Sequence, residues 1–363
     1  MKQIEWGHEV IEAEVQTRIR KKLLRKFWLK VGAVTLIALI LAIRLFGGEL
    51  AQKLLHWPWN FGMDPNCLYR PHYAEPVNTG PNERLLEIMY EAADDVEDSF
   101  KFDTDILKCN TADQVFQITC ATADELKSRY PELFWISGVE PVLTMSEDGT
   151  EICRTTTVNF QRVKEFAHMP AKKMYRELKQ EAKRLLDGAP KHGSDFDKAL
   201  YVHDQLVQLI TYDVPGSESQ EYQLCHTVYG ALAEHSAVCM GYSVTYQYLM
   251  RELGVKCVYA HGDIKVSAAE LLLSKLTMKD NGHAWNWIEL DGESYWVDVT
   301  WDDPLDENWQ EIGGAVSHEY CFVDDDKIFE SRSPDDACKE LPACRSMKLN
   351  KQLMEADSQV AAQ

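Results

Sequence analysis

Three polar side chains in the second half of the sequence have the types and the order that nucleophilic catalysis by a cysteine requires. They are Cys239, His283 and Asp298. This chemistry needs a thiolate, an imidazole that shares and returns its proton, and an acceptor that holds the imidazole in the correct tautomer. Many chains contain these residue types in this order, so composition and spacing alone favour a structural histidine and a buried acid. Catalysis therefore depends on whether the surrounding elements bring the three together.

Cys239 lies where a helix is predicted to begin. Val244, Tyr248 and Leu253 recur at helical spacing, and Gly254 is a natural C-terminal stop. A thiol at a helix N-terminus lies at the positive end of the helix macrodipole, which favours its thiolate form. The backbone N–H of Cys239 is also a candidate oxyanion donor, and the sequence does not identify a second donor. A small core residue or half of a disulfide is the alternative role for this cysteine.

His283 and Asp298 are predicted to lie on one β-hairpin. A two-residue turn at 291–292 separates two apolar runs. In the register that this turn sets, Trp285 is opposite Asp298 and His283 is opposite Thr300. Because alternate residues of a strand share a face, His283 and Asp298 are diagonal neighbours, about 7–8 Å apart at the backbone. That separation allows a hydrogen bond between the imidazole and the carboxylate.

The two faces of this hairpin have different predicted surroundings. The triad face also carries Trp285, Trp287 and Trp296, which are predicted to pack within the sheet rather than to hold substrate. The reverse face is apolar, so the hairpin is expected to be central in a sheet that is covered on both sides. The apolar residues of the reverse face are Ala284, Ile288, Leu290, Val297 and Val299.

The segments AVCMGYS and GHAWNWIELDGESYWVDVTWDDP resemble the transglutaminase-like domain of exported bacterial proteins, within the papain-like cysteine peptidase superfamily. The resemblance runs from about Asp195 to Val323 and includes ITYD, VYGAL and EYCFV. It implies an α+β fold in which the nucleophile helix packs on an antiparallel sheet whose adjacent strands bear the histidine and the aspartate. It also implies that Cys239 is the nucleophile, His283 the general base and acid, and Asp298 the residue that orients the imidazole.

The segment 264–280 is longer than the usual connection of that family before the histidine strand. It contains AAELLLSKLTMK, which is compatible with a short amphipathic helix. Because the segment leads directly into the active-site strand, we hypothesise that it covers part of the cleft as a lid.

The N-terminal part is predicted to anchor the protein in a membrane. Residues 31–43 carry no charge, and 13 helical residues reach about 20 Å, short of the roughly 30 Å hydrocarbon layer. The aliphatic stems of Lys30 and Arg44 can lie along the apolar layer while their charges reach the lipid headgroups. Residues 27–46 are therefore predicted to form a single membrane span. A cleaved signal peptide is the alternative, but no clear cleavage site follows. The preceding basic cluster predicts that 1–26 is cytoplasmic and that the rest is extracellular.

Charge and cysteine usage exclude other classes of function. The 363 residues carry a formal net charge of -20, which disfavours binding to nucleic acid. All ten cysteines follow the predicted span, in a compartment that permits disulfides, but their pairing cannot be read from the sequence. The chain has neither a C-x-x-C pair nor a helical histidine pair, so neither a metal site nor another cofactor is predicted. The acidic groups at 302–303, 306 and 324–326 lack a calcium-loop pattern and are expected to form solvated loops.

The sequence thus predicts several consecutive parts. Helices are expected at 82–100, 112–129, 171–186 and 195–210, and strands at 133–135, 142–145 and 152–160. No function is assigned to the region before residue 166. In chain order the parts are a cytoplasmic arm (1–26), a transmembrane helix (27–46), a linker (47–81), a small α+β domain (82–165), a transglutaminase-like domain (166–335) and a C-terminal tail (336–363).

The predicted function is that of a membrane-anchored, extracytoplasmic cysteine acyltransferase or hydrolase. The thiolate would attack a carbonyl and form a thioester acyl-enzyme, which then passes its acyl group to water or to an amine. Water gives a peptidase or amidase, and an amine gives a protein-crosslinking enzyme. A protein or a cell-wall peptide is the expected substrate, although no substrate-binding residue is identified. The alternative is a noncatalytic cell-surface binding module on the same fold.

Overall fold

The computed structural model describes residues 78–144, 152, 154–219, 221–265, 281–303 and 316–361. These residues belong to one compact unit, residues 65–363. The predicted cytoplasmic arm, transmembrane helix and hypothesised lid lie outside the described residues, except for Ile264 and Lys265 at the start of the lid segment. Within the described part of the chain, no helix combines the length and the apolar character that a membrane crossing requires.

The first described elements form a small layer of helices and sheet. Helices α1 (Glu83–Asp94) and α2 (Ala112–Arg129) pack together and against a three-stranded antiparallel sheet. Its strands are β1 (Ser99–Asp103), β2 (Ile136–Val142) and β3 (Thr155–Arg162), in the spatial order β1-β3-β2. The region thus has the mixed composition predicted for 82–165, and the predicted domain boundary at residue 165 stays a prediction.

Local signals explain where these elements begin and end. The Asn82 side chain accepts from the Leu85 N–H and caps α1. The helix ends at Asp94 rather than at the predicted residue 100, because Val96 has a φ of 52°, in the left-handed region that a helix cannot continue through. The stretch predicted as a strand at 133–135 is instead a buried turn, in which Leu133 donates its backbone N–H to the Tyr130 carbonyl at 3.0 Å.

The second part places one long helix on a five-stranded antiparallel sheet. The elements, in chain order, are α3 (Ala171–Asp187), α4 (Asp195–Leu209), β4 (Thr211–Tyr212), α5 (Val214–Ser217), a π-helical turn (Gly230–Glu234), β5 (Ser236–Ala237), α6 (Cys239–Glu252), β6 (Cys257–Ile264), β7 (Gly282–Leu290), β8 (Glu293–Val297), β9 (Cys321–Val323), α7 (Asp325–Ser331), β10 (Arg332–Pro334) and α8 (Lys348–Ala361). The five strands of the sheet have the spatial order β10-β6-β7-β8-β9, and helix α6 packs on β6 and β7.

The β7–β8 hairpin has the predicted register over most of its length. Leu290 pairs with Glu293, and the pairing continues to Asn286 and Val297. The hairpin does not extend to the predicted pair of Trp285 with Asp298, because β8 ends at Val297. Asp298 instead donates its backbone N–H to the Tyr320 carbonyl at 3.1 Å. The chain therefore leaves the ladder at the predicted catalytic acid.

Both faces of the five-stranded sheet are covered, as the hairpin pattern predicted. Trp285, Trp287 and Trp296 are buried together on one face, which confirms that they pack within the structure. The reverse face contributes Ile288 and Val297 to the main hydrophobic core. This core also contains residues of the first layer, so one apolar interior supports both sheets.

An ion pair joins the first layer to the end of α6. The Arg251 guanidinium donates to both carboxylate oxygens of Glu132, at 3.1 and 2.6 Å. Glu132 is fully buried; burial raises its pKa, and the charge of Arg251 acts in the opposite direction. Arg251 also lies over the ring of Tyr130, 4.7 Å from its centroid. The helix that bears Cys239 is thus held to the first layer by a desolvated carboxylate.

We predict that Arg251→Met lowers the free energy of unfolding by about 3 kcal/mol, because the Glu132 carboxylate stays buried without its partner. Urea denaturation measures this change. Arg84→Met is the matched control, since the Arg84–Glu87 pair leaves 68% and 61% of its two side chains exposed; its loss should cost less than about 1 kcal/mol. Equal effects of the two substitutions would contradict the prediction.

Candidate active site

Cys239 is the first residue of α6, as the apolar spacing predicted. The preceding Val238 is extended and donates its backbone N–H to the Cys225 carbonyl at 3.0 Å. Gly241 lets the first turn of the helix approach this same segment, because a Cβ atom there would lie 2.3 Å from the Cys225 carbonyl oxygen. Cys239 is half-buried and in no disulfide. Its backbone N–H lies in the first helical turn, where it has no intrahelical acceptor, and it is the predicted oxyanion donor.

The imidazole of His283 lies between the other two predicted side chains. His283 is on β7 and buried, and its Nε2 lies 2.6 Å from Oδ2 of Asp298. The side chain of Cys239 also interacts with the imidazole and favours its protonated form. Because Nε2 is occupied by Asp298, we assign Nδ1 as the nitrogen that faces the sulfur. The structure thus brings the three predicted residues together, with a hydrogen bond between His283 and Asp298 and the Cys239 side chain next to the imidazole.

Charge stabilises this arrangement. Burial lowers the pKa of His283, but the Asp298 carboxylate and Cys239 outweigh burial and raise the pKa to about 9. Burial raises the pKa of Asp298, yet the charges of His283 and Arg332 dominate and bring it to about 2. At neutral pH the carboxylate is therefore ionised and the imidazole is protonated. An imidazolium beside the sulfur is the partner that stabilises a thiolate.

Arg332 is a fourth member of this site that the sequence did not predict. It is fully buried at the start of β10, and its Nε donates to Asp298 Oδ2 at 2.9 Å. Its Nη2 donates to the same oxygen. The guanidinium contacts the rings of Trp301 and Tyr320, 4.0 and 4.4 Å from their centroids. The short strand around it contains Pro334 and reads as a loop in the sequence, so no pattern there points to a buried cation.

Asp298 thus has partners for both of its carboxylate oxygens. Oδ2 accepts from His283 and Arg332, and Oδ1 accepts from the Trp301 backbone N–H at 3.1 Å. A carboxylate held from three directions cannot rotate without breaking a buried hydrogen bond. It therefore holds the imidazole ring in a fixed orientation with Nδ1 toward Cys239.

The acidic residues that follow Asp298 are buried, so the expectation of a solvated loop at 302–303 was wrong. Asp302 accepts from His203 Nε2 at 3.1 Å and from the Tyr320 backbone N–H at 2.9 Å. Asp303 accepts from the Tyr242 hydroxyl at 2.5 Å. Each carboxylate has a partner from an element distant in the sequence, which explains why a run of acids could be buried.

Three groups of the described residues have donor atoms close enough to share a metal ion, and Cys239, His283 and Asp298 belong to none of them. In two of these groups the histidine nitrogens already make hydrogen bonds to carboxylates. The groups are His203, Asp204 and His318; His203, Asp302 and Cys321; and His261, Asp335 and Cys338.

We predict that Asp298→Asn lowers the pKa of His283 from about 9 toward its usual value near 6.5, because the largest contribution that raises it is lost while burial still disfavours the charged ring. NMR titration of the imidazole measures this pKa. Arg332→Met is the matched control, since it leaves the carboxylate beside His283 and should keep the pKa raised.

The double variant Asp298→Asn/Arg332→Met removes both buried charges and keeps the measurement possible if the single aspartate variant unfolds. A His283 pKa that stays near 9 in the double variant would contradict this account of the site.

Comparison with known proteins agrees with the resemblance seen in the sequence. Residues 182–301 match the model of the transglutaminase-like superfamily. The match covers Cys239, His283 and Asp298, and it ends before Arg332. The mixed helix and sheet structure therefore contains a transglutaminase-like core. No match was found among curated protein sequences.

Solved structures with similarity to the chain include a TGase and the periplasmic domain of TgpA. The crystal structure of a TGase is 13% identical, with a TM-score of 0.28, and the aligned part covers 48% of this chain and 47% of that one. The periplasmic domain of TgpA from Pseudomonas aeruginosa is 12% identical, with a TM-score of 0.25 and coverage of 45% and 62%. The chain thus spans less than two thirds of either protein.

Proposed function

We propose that this protein is a cysteine acyltransferase or hydrolase that acts through Cys239, His283 and Asp298. The observation that carries the proposal is the placement of the half-buried Cys239 side chain, at the N-terminus of α6, next to a buried imidazole that is hydrogen-bonded to Asp298. The transglutaminase-like domain supports a cysteine protease or acyltransferase. The buried Arg332 supports it further, because a cation there keeps Asp298 ionised and oriented.

The reaction would begin with attack of the Cys239 thiolate on an amide carbonyl. A C–S bond forms, and the oxyanion that develops accepts from the Cys239 backbone N–H. The His283 imidazolium then gives its proton to the departing nitrogen as the C–N bond breaks, which leaves a thioester. Water or an amine attacks the thioester, His283 takes the proton of the attacking group, and the thiolate leaves. Asp298 stays ionised throughout and stabilises the imidazolium.

The proposal includes the location and the class of substrate. Residues 27–46 would form a single membrane span with 1–26 in the cytoplasm, which the apolar segment and its basic flank support. The catalytic part would then face the extracellular side and act on a protein or a cell-wall peptide. Transfer to water would make the enzyme a peptidase or amidase, and transfer to an amine would make it a crosslinking enzyme.

We predict that iodoacetamide alkylates Cys239 at pH 6 at least about tenfold faster than Cys120, because a stabilised thiolate reacts and an ordinary thiol does not. Cys120 is an internal control, since it is also half-buried and burial raises its pKa. Peptide mapping by mass spectrometry measures both rates. His283→Ala should abolish the advantage of Cys239. If Cys239 and Cys120 react at equal rates, and His283→Ala does not change the rate of Cys239, the result would favour the noncatalytic binding module.

Cleavage of an amide substrate should slow at alkaline pH. Since the pKa of His283 is about 9, the imidazolium that protonates the leaving amine disappears as the pH rises through 9. The kcat/KM for a peptide amide should fall over that interval. The matching ester should lose less activity, because its leaving group needs less help from an acid. Amide cleavage that still accelerates above pH about 9 would contradict this role of His283.

Mass spectrometry of Cys239 after incubation with extracellular protein and cell-wall peptides would identify the acyl donor. A thioester adduct on Cys239 supports the proposal. An adduct that forms equally in His283→Ala would show chemistry that does not depend on the imidazole.

A further inference from the structure

A groove of about 530 Å³ runs along the helix that carries the nucleophile. Helix α6 contributes Met240, Val244 and Gln247, whose spacing places them on one face of the helix. Tyr259 of β6 also lines the groove. Met240 follows Cys239 directly in the chain, so the groove begins at the first turn of the helix that carries the nucleophile.

The opposite wall comes from the first layer of the fold. Phe134 forms part of this wall and stacks on Tyr229, with 5.4 Å between the ring centroids. Gln247 donates to the Ser128 carbonyl at 3.0 Å and joins the two walls. The other apolar residues that this layer contributes to the groove are Tyr130, Pro131, Leu133, Ile136 and Val163.

The lining favours an uncharged occupant. The charged side chains that line the groove are Lys127 and Glu165. Lys127 Nζ donates to the Ser137 carbonyl at 3.2 Å and pairs with Asp124 at 3.0 Å, while Glu165 is solvent-exposed. Tyr222 is 36% exposed and presents an aromatic ring to the groove. Among the described residues that line the groove, most thus offer apolar or aromatic surface, and the one lysine is already paired with Asp124.

We propose that this groove binds an aromatic or large aliphatic side chain of the peptide acyl donor, next to the carbonyl that Cys239 attacks. The inference rests on the proposed function and names the substrate class of the same site. Its volume of about 530 Å³ lies within the roughly 300–1,000 Å³ of clefts that bury small ligands. The first layer, which has no other assigned role, then forms one wall of the specificity pocket.

The test uses two probes that differ in one side chain, N-acetyl-phenylalanyl and N-acetyl-glycyl chloromethyl ketone. The thiolate of Cys239 forms a C–S bond to the methylene carbon as chloride leaves. Intact-mass spectrometry of the detergent-solubilised full chain gives the labelling rate for each probe. Each rate is divided by the iodoacetamide rate of the same variant, so that changes in thiol reactivity cancel. The phenylalanyl probe should label Cys239 at least about tenfold faster.

Two variants locate the preference in the groove. Tyr222→Ala removes an exposed ring from its lining, and Ser137→Trp places a bulky side chain at a residue that lines it. Both should lower the ratio of phenylalanyl to glycyl labelling by about fivefold or more. Phe116→Ala is the matched control, because Phe116 is a 51% exposed aromatic residue of α2 that does not line the groove.

The outcomes separate this inference from the proposed function. The groove assignment is overturned if the two probes label Cys239 at equal rates, or if neither groove variant lowers the preference for the phenylalanyl probe. This holds even when iodoacetamide shows that Cys239 is activated. If iodoacetamide alkylates Cys239 slowly and His283→Ala does not change that rate, the proposed function is overturned. The groove assignment, which rests on the proposed function, is then overturned as well. A preference that Tyr222→Ala and Ser137→Trp both lower, and that Phe116→Ala retains, supports the groove as the side-chain pocket.

Discussion

The buried carboxylate of Asp298 is the constraint on which the rest of the site depends. An ionised carboxylate without solvent is stable only when opposite charges and hydrogen-bond donors surround it. His283, Arg332 and the Trp301 N–H supply these partners from β7, β10 and the segment after β8. Because a shift of any of these elements would leave a buried charge without its partner, the position of the imidazole is coupled to the order of strands in the sheet.

Helix packing brings Cys239 to this charge network. Helix α6 lies on β6 and β7, and its first turn approaches Cys225 at a position where only glycine fits. The far end of the same helix is tied to the first layer by Arg251 and the buried Glu132. The helix is thus held at both ends, and the Cys239 sulfur is kept beside an imidazolium with little freedom to move away. The same packing creates the groove that runs along the helix.

Much of the fold followed from local patterns. The start of α6 at Cys239 came from apolar spacing, and the two-residue turn set the register that pairs Leu290 with Glu293. These predictions succeeded because helix periodicity and hairpin pairing are local. The prediction of a strand at 133–135 was wrong, because a short apolar run is buried equally well in a turn. The solvated loop expected at 302–303 failed because its buried partners lie far away in the chain.

The sequence by itself determined the identities of Cys239, His283 and Asp298, the helix that begins at the cysteine and the hairpin that carries the histidine, because each of these is encoded within a short stretch. Only the tertiary structure decided that Arg332 supports Asp298 and that the first layer forms one wall of a groove along the helix that begins at Cys239. The physical reason is that charge pairing and concave surfaces arise between elements distant in sequence, whereas periodicity and turn chemistry report only on neighbours along the chain.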